Sequence, residues 1–204
     1  MSRDIIAILR GLRPEEAVEV GTVIVEAGIT TIEVPLNSPE PLRSIRLLSD
    51  ALSDRATIGA GTVLTVREAE EVAGAGGRLV VSPNAVPDVI ARTKALGLAS
   101  YPGVLTPTEC FAALAAGADG LKFFPASLLG VDGLKAVKAV LPRETKTYAV
   151  GGAGPSNFDA WLKAGITGFG IGSNLFSAGM TAGEVGRRAQ EIVSAYDQAL
   201  AGIN

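Results

Sequence analysis

Short runs of apolar and β-branched residues recur along the chain at Ile5 to Leu9, Thr31 to Leu36, Thr57 to Gly61, Leu79 to Ser82, Ala99 to Pro102, Gly120 to Phe124, Thr147 to Val150 and Gly168 to Ile171. Runs of this length and composition predict strands. Between them, apolar positions fall at helical spacing with start and stop signals. Pro14-Glu15-Glu16 opens one segment that ends at Ala27-Gly28, and Thr65 to Glu68 forms a capping box before another. Ala95-Leu96-Gly97 and Ala116-Gly117 have the pattern of helix C-caps.

The pattern therefore predicts eight strands, each followed by a helix. No linker, low-complexity tract or shift in composition divides them, so a single domain over residues 1–204 is expected. Eight parallel strands with alternating helices most economically close into a (β/α)8 TIM barrel of the α/β class. An open doubly wound sheet is the structural alternative. Its signature is weak, because Gly168-Phe169-Gly170-Ile171-Gly172-Ser173 lacks the dinucleotide-binding spacing.

Composition narrows the chemistry. Hydrophobic residues make up 48% of the 204 and aromatic residues only 5%, so Ala, Val, Leu and Ile must fill the interior, as where helices cover both faces of a buried sheet. A net charge of -3 without blocks of like charge favours neither nucleic acid nor an anionic membrane, and a small molecule is the expected partner. The lone Cys110 cannot form an internal disulfide. The chain opens with Ser2-Arg3-Asp4 before five apolar residues ended by Arg10, so no signal peptide is expected. No apolar run approaches the roughly 18 residues of a spanning helix, and a cytoplasmic location follows. Histidine is absent, which removes the commonest general base and the commonest metal ligand together. Catalysis would have to rest on lysine, carboxylates, hydroxyls and backbone, with no metal or cofactor expected.

A barrel gathers functional groups at the C-terminal ends of its strands. Lys122, in Gly120-Leu121-Lys122-Phe123-Phe124-Pro125, is a cation in an apolar strand-like run, where burial would push its pKa down and make it a nucleophile. The competing reading is a lysine that snorkels to solvent. Glu33 is the only carboxylate inside a strand-like run; it suits a general acid and base, or a structural ion pair with Arg10 on the neighbouring strand. Arg10 is a bidentate partner for a carboxylate or phosphate, or an ordinary strand-end arginine. Thr62 follows Gly59-Ala60-Gly61 and offers a hydroxyl to a substrate carboxylate, or stabilises a turn. Gly151-Gly152 and Gly172-Ser173 follow the seventh and eighth strands, where barrels frequently bind phosphate through backbone N–H groups. Trp161, Phe158 and Leu162 are expected to pack a helix on the barrel, Glu68, Glu70 and Glu71 to form a solvated face, and Cys110 to be buried.

Together these residues resemble a known family. Ile6-Ala7-Ile8-Leu9-Arg10-Gly11, Gly59-Ala60-Gly61-Thr62-Val63-Leu64, Lys122-Phe123-Phe124-Pro125-Ala126 and Gly151-Gly152 are similar to segments of the short (β/α)8 class I aldolases acting on 2-keto-3-deoxy-6-phospho sugar acids. The resemblance covers nearly the whole chain. It implies Lys122 as the Schiff-base lysine, Glu33 as proton donor and acceptor, Arg10 and Thr62 on the substrate carboxylate, and Gly152, Gly172 and Ser173 on the phosphate. It also implies a homotrimer, with pyruvate and glyceraldehyde 3-phosphate as products. Gluconate-type members typically read Glu-Val-Thr-Leu-Arg after the second strand and carry Thr before the Gly-Gly pair. This chain has Glu33-Val34-Pro35-Leu36-Asn37 and Val150, which look like the galactonate-type branch and make Val150 and Asn37 the candidate specificity positions. Cleavage of the galacto epimer is thus implied, with the gluco epimer, or both, as the alternative. A metal-dependent epimerase on the same fold and a non-enzymatic sugar-phosphate module are the rival classes, the first disfavoured by the absence of histidine.

Overall fold

A computed structural model describes residues 3–203; Ser2, cited for the N-terminus, lies outside them. In chain order the elements are β1 (Ile5–Ile8), α1 (Pro14–Glu26), β2 (Thr31–Pro35), α2 (Pro41–Leu52), β3 (Thr57–Gly61), α3 (Val66–Gly74), β4 (Leu79–Val81) and α4 (Pro87–Ala95). There follow β5 (Ala99–Tyr101), β6 (Gly103–Val104), α5 (Pro107–Ala115), β7 (Leu121–Phe123), α6 (Ala126–Lys138), β8 (Thr147–Val150), α7 (Phe158–Lys163), β9 (Gly168–Ile171) and α8 (Ala182–Ala201). The helices begin and end for local reasons. Thr65, Thr106 and Thr181 each form a capping box with the glutamate three residues on, at the starts of α3, α5 and α8. Gly28, Gly97 and Gly117, all at positive φ, follow the ends of α1, α4 and α5.

All strand pairs are parallel, in the order β5-β4-β3-β2-β1-β9-β8-β7-β6. The two ends of this order are successive pieces of one segment joined at Pro102, so the sheet curls round on itself as a barrel rather than opening into a doubly wound sheet. The single strand predicted over Ala99 to Pro102 is thus two short pieces. Proline has no N–H to give the ladder, yet the Pro102 carbonyl still accepts from the Lys122 N–H at 2.9 Å, and Asp119 N–H reaches Ser100 O at 3.0 Å.

The helices cover only the outer face of the sheet, where most buried apolar residues form one cluster between strands and helices. The expectation of helices on both faces therefore fails, because closing a sheet turns one face inward. Ile6, Ile8, Leu79, Val81, Tyr148 and Val150 are buried apart from that cluster and fill the lumen. Room for them comes from glycines. A methyl at Gly59 would strike Leu79, at Gly168 the ring of Tyr148, and at Gly170 the side chain of Val150. Away from the strand C-termini the lumen is closed by Tyr148, whose hydroxyl donates to Asp4 Oδ1 at 3.0 Å and whose ring meets Tyr101 edge-on at 5.3 Å. Phe158, Trp161 and Leu162 are buried in α7, and Cys110 is buried in α5.

Lumen glycines and surface glycines should respond oppositely to the same substitution. Gly168→Ala forces a methyl against the Asp4 carbonyl and the Tyr148 ring, and should cost about 1–3 kcal/mol in denaturant unfolding. Gly183→Ala, in α8 with nothing near its added methyl, should gain about 0.4–1 kcal/mol in the same measurement.

Candidate active site

Lys122 occupies the middle of β7, in register with Gly103 on one side and Tyr148 on the other. It is 7% exposed, and Nζ lies 4.9 Å from the centroid of the Phe124 ring. The snorkelling alternative therefore does not hold. Burial disfavours the ammonium and pushes the Lys122 pKa down; the carboxylate of Glu33 pulls it back, and Arg10 pushes it further down. Phe124 is partly exposed and forms part of a cavity wall.

Glu33 stands on β2 opposite Ile8 of β1 and Gly59 of β3. It is 2% exposed, and its carboxylate fills the space that a side chain at Gly61 would take. Oε2 has no hydrogen-bond partner. Burial raises the Glu33 pKa to about 7, against the pull of Lys122 and Arg10. Among the described residues Glu33 makes no ion pair with either cation. A desolvated amine and a desolvated carboxylate thus feel each other's charge without forming an ion pair.

Arg10 does not pair with Glu33. Its Nη1 donates to Asn37 Oδ1 at 2.6 Å, and the adjoining Gly11 N–H donates to Ser38 Oγ at 3.0 Å. The two loops after β1 and β2 are thereby tied together, and Asn37 acts on the cation rather than merely lacking an arginine's charge. Thr62 is half-buried and holds φ 57, a left-handed backbone uncommon for a β-branched residue. Strain of this kind costs on the order of 1–3 kcal/mol and gathers at ligand sites.

The loops after β8 and β9 face one cavity of about 330 Å³, whose walls include Arg10, Phe124, Val150, Gly152, Gly172 and Ser173. Lys122, Glu33 and Thr62 are not on those walls; Lys122 connects to the cavity through the Phe124 ring. Gly151 and Gly152 hold φ 83 and 88, and Ser127 packs where a side chain at Gly152 would stand. Among the described residues, the N–H groups of Gly152, Ala153, Gly172, Ser173 and Asn174 meet no acceptor. Successive unpaired peptide N–H groups around a concavity form an anion cradle. Ala153, Gly154, Ser156 and Asn174 also line it and were missed from the sequence. Their signal was the small, polar Gly151 to Asn157 stretch. Asn157 braces that loop, accepting from Gly154 N–H at 3.0 Å and donating to the Gly152 carbonyl at 2.9 Å.

Known proteins resemble this arrangement over the whole chain. The family model for KDPG and KHG aldolase matches residues 1–190. A relative in Rhizobium meliloti (strain 1021), named probable 2-dehydro-3-deoxy-6-phosphogalactonate aldolase, is 51% identical over 202 residues, covering 99% of this chain and 95% of its own. A solved structure described as native KDPGal superposes with a TM-score of 0.96 at 42% identity, over 98% of each chain. The KDPG aldolase from Legionella pneumophila, with pyruvate captured as a covalent carbinolamine intermediate, superposes with a TM-score of 0.82 at 25% identity, over 97% of this chain and 94% of that one. With the family's model matched across nearly the full length and a relative sharing half the residues, the chain belongs to the KDPG and KHG aldolase family.

Proposed function

We propose that this chain cleaves 2-dehydro-3-deoxy-6-phosphogalactonate reversibly to pyruvate and D-glyceraldehyde 3-phosphate through an imine on Lys122. The observation that carries the reading is the dry Lys122 amine facing the dry Glu33 carboxylate, beside a cavity rimmed by unpaired peptide N–H groups. The names of the 51%-identical relative and of the structure superposing at 0.96 support the galacto epimer. The carbinolamine in the Legionella pneumophila relative supports covalent chemistry on a lysine.

The lowered Lys122 pKa enlarges the fraction of neutral amine that can add to the C2 keto carbon. Loss of the keto oxygen as water leaves an iminium. Glu33 then takes the proton of the C4 hydroxyl, the C3–C4 bond breaks, and its electron pair passes into an enamine. C4 becomes the aldehyde carbon of glyceraldehyde 3-phosphate. Protonation at C3 and addition of water release pyruvate and the free amine. The iminium is the electron sink, so no metal or cofactor enters the scheme. Gly152, Gly172 and Ser173 take the 6-phosphate. Arg10, as the cation on the same cavity wall, is assigned to that end as well, while Thr62 is left for the carboxylate. Val150, beside Ile8 and Gly170, presents no donor to the sugar hydroxyls. A homotrimer belongs to the same proposal through the family resemblance. So does a cytoplasmic location; among the described residues no helix is long and apolar enough to cross a membrane.

Borohydride reduction with pyruvate should leave a stable adduct on Lys122, visible by peptide mass mapping, and Lys122→Ala should abolish both adduct and turnover; activity surviving that substitution would refute the imine. Because ionised Glu33 is the base, kcat/KM for cleavage should rise as pH climbs through about 7. Glu33→Gln should remove that acid limb and lower kcat by about 10²–10⁴-fold. Measured kcat/KM should favour the galacto over the gluco epimer, and Val150→Thr should shift the ratio by about tenfold toward gluco. A native preference for gluco would reverse the epimer assignment.

A further inference from the structure

We infer that Arg188, on α8 and outside the cavity walls, is a positioning residue that aims the anion cradle. The inference rests on the phosphate reading of that cradle and adds the device that orients it. The turn after β9 has its carbonyls engaged away from the cavity. Gly172 O accepts from the N–H groups of Leu175 and Phe176 at 2.8 and 3.0 Å, and Ser173 O accepts from Arg188 Nη1 at 3.1 Å.

The peptide joining Ser173 to Asn174 is planar and trans, so its C=O and N–H point in opposite directions. Holding the Ser173 carbonyl from outside therefore turns the Asn174 N–H away from α8, and Asn174 lines the cavity. A guanidinium on the carbonyl also polarises the peptide, which makes that N–H a stronger donor to an anion. Arg188 reaches the turn because it stands three residues after Val185 and four before Ile192, both buried, so it flanks the face that packs on the barrel. Its neighbour Arg187 has no such task; it pairs with Glu191 one turn on at 2.8 Å. The two adjacent arginines form a natural experiment.

Inorganic phosphate titrated by calorimetry into the unmodified chain, Arg188→Ala, Arg188→Lys and Arg187→Ala gives a readout that does not depend on imine chemistry. Arg188→Ala should weaken phosphate binding and raise KM for the phosphorylated substrate about tenfold, while kcat and the pyruvate adduct stay within about twofold. Arg188→Lys should recover part of the loss, and Arg187→Ala should match the unmodified chain. Unchanged phosphate affinity in Arg188→Ala overturns the inference, as does a loss that appears equally in the pyruvate adduct. Failure of the unmodified chain to bind phosphate overturns the cradle reading and this inference with it, whatever the fate of the imine.

Discussion

Two ionisable side chains share the dry lumen of this barrel, and the missing Cβ at Gly61 is what leaves one of them room. The Glu33 carboxylate lies in that space with an oxygen that no donor reaches. Taking it out of water raises its pKa to about 7, and each unit of such a shift corresponds to about 1.4 kcal/mol. Holding the ionised form therefore costs the fold roughly 3 kcal/mol above neutrality. The native chain binds the Glu33 proton more tightly than the unfolded chain does, so this contribution erodes stability as pH rises from about 4.5 to about 7. Lys122 has the opposite sign, since its lowered pKa makes the folded form lose its proton first. Close contact would let the two charges quench each other. Without an ion pair, neither charge is quenched by the other, as the proposed chemistry requires.

The remainder of the barrel serves this arrangement. The strand–helix shell holds most of the buried apolar residues, while the lumen carries glycines that leave room for Glu33, Leu79, Tyr148 and Val150. Tyr148 and Asp4 close the inactive end. At the open end the proposed anion cradle would be made from peptide N–H groups rather than from a cluster of cations, in a chain of net charge -3. Backbone dipoles fixed by positive-φ glycines and by Asn157 need no reorganisation when an anion arrives. Arg10 adds one full charge, steadied by Asn37.

Much of this was legible along the chain. Strand ends, the Thr65 capping box and the glycines that end helices are local events, governed by neighbours within four residues, and the structure places them within a residue or so of expectation; the boxes at Thr106 and Thr181 are equally local and went unread. Lys122 stood out because a cation in an apolar run is locally anomalous. Glu33 stood out for the same reason. By contrast, the break at Pro102, the exposure of Phe124, the hold of Asn37 on Arg10 and the hold of Arg188 on the Ser173 carbonyl left little trace. Arg10 and Asn37 are 27 residues apart, and Arg188 and Ser173 are 15 apart. An arginine in the middle of a polar helical stretch reads like any other.

The sequence by itself determined the kinds of chemistry available: a lysine and a glutamate in strands, glycine turns after the last two strands, and no histidine. Those are statements about which groups exist and in what local conformation, and short-range sterics and hydrophobic period decide them. Only the tertiary structure decided that Glu33 lies against Gly61 rather than against Arg10, and that the cradle lies beyond Phe124 rather than around Lys122 itself. Desolvation and charge act through space. A pKa or an ion pair is therefore set by residues that closure of the sheet brings together, whatever their distance along the chain.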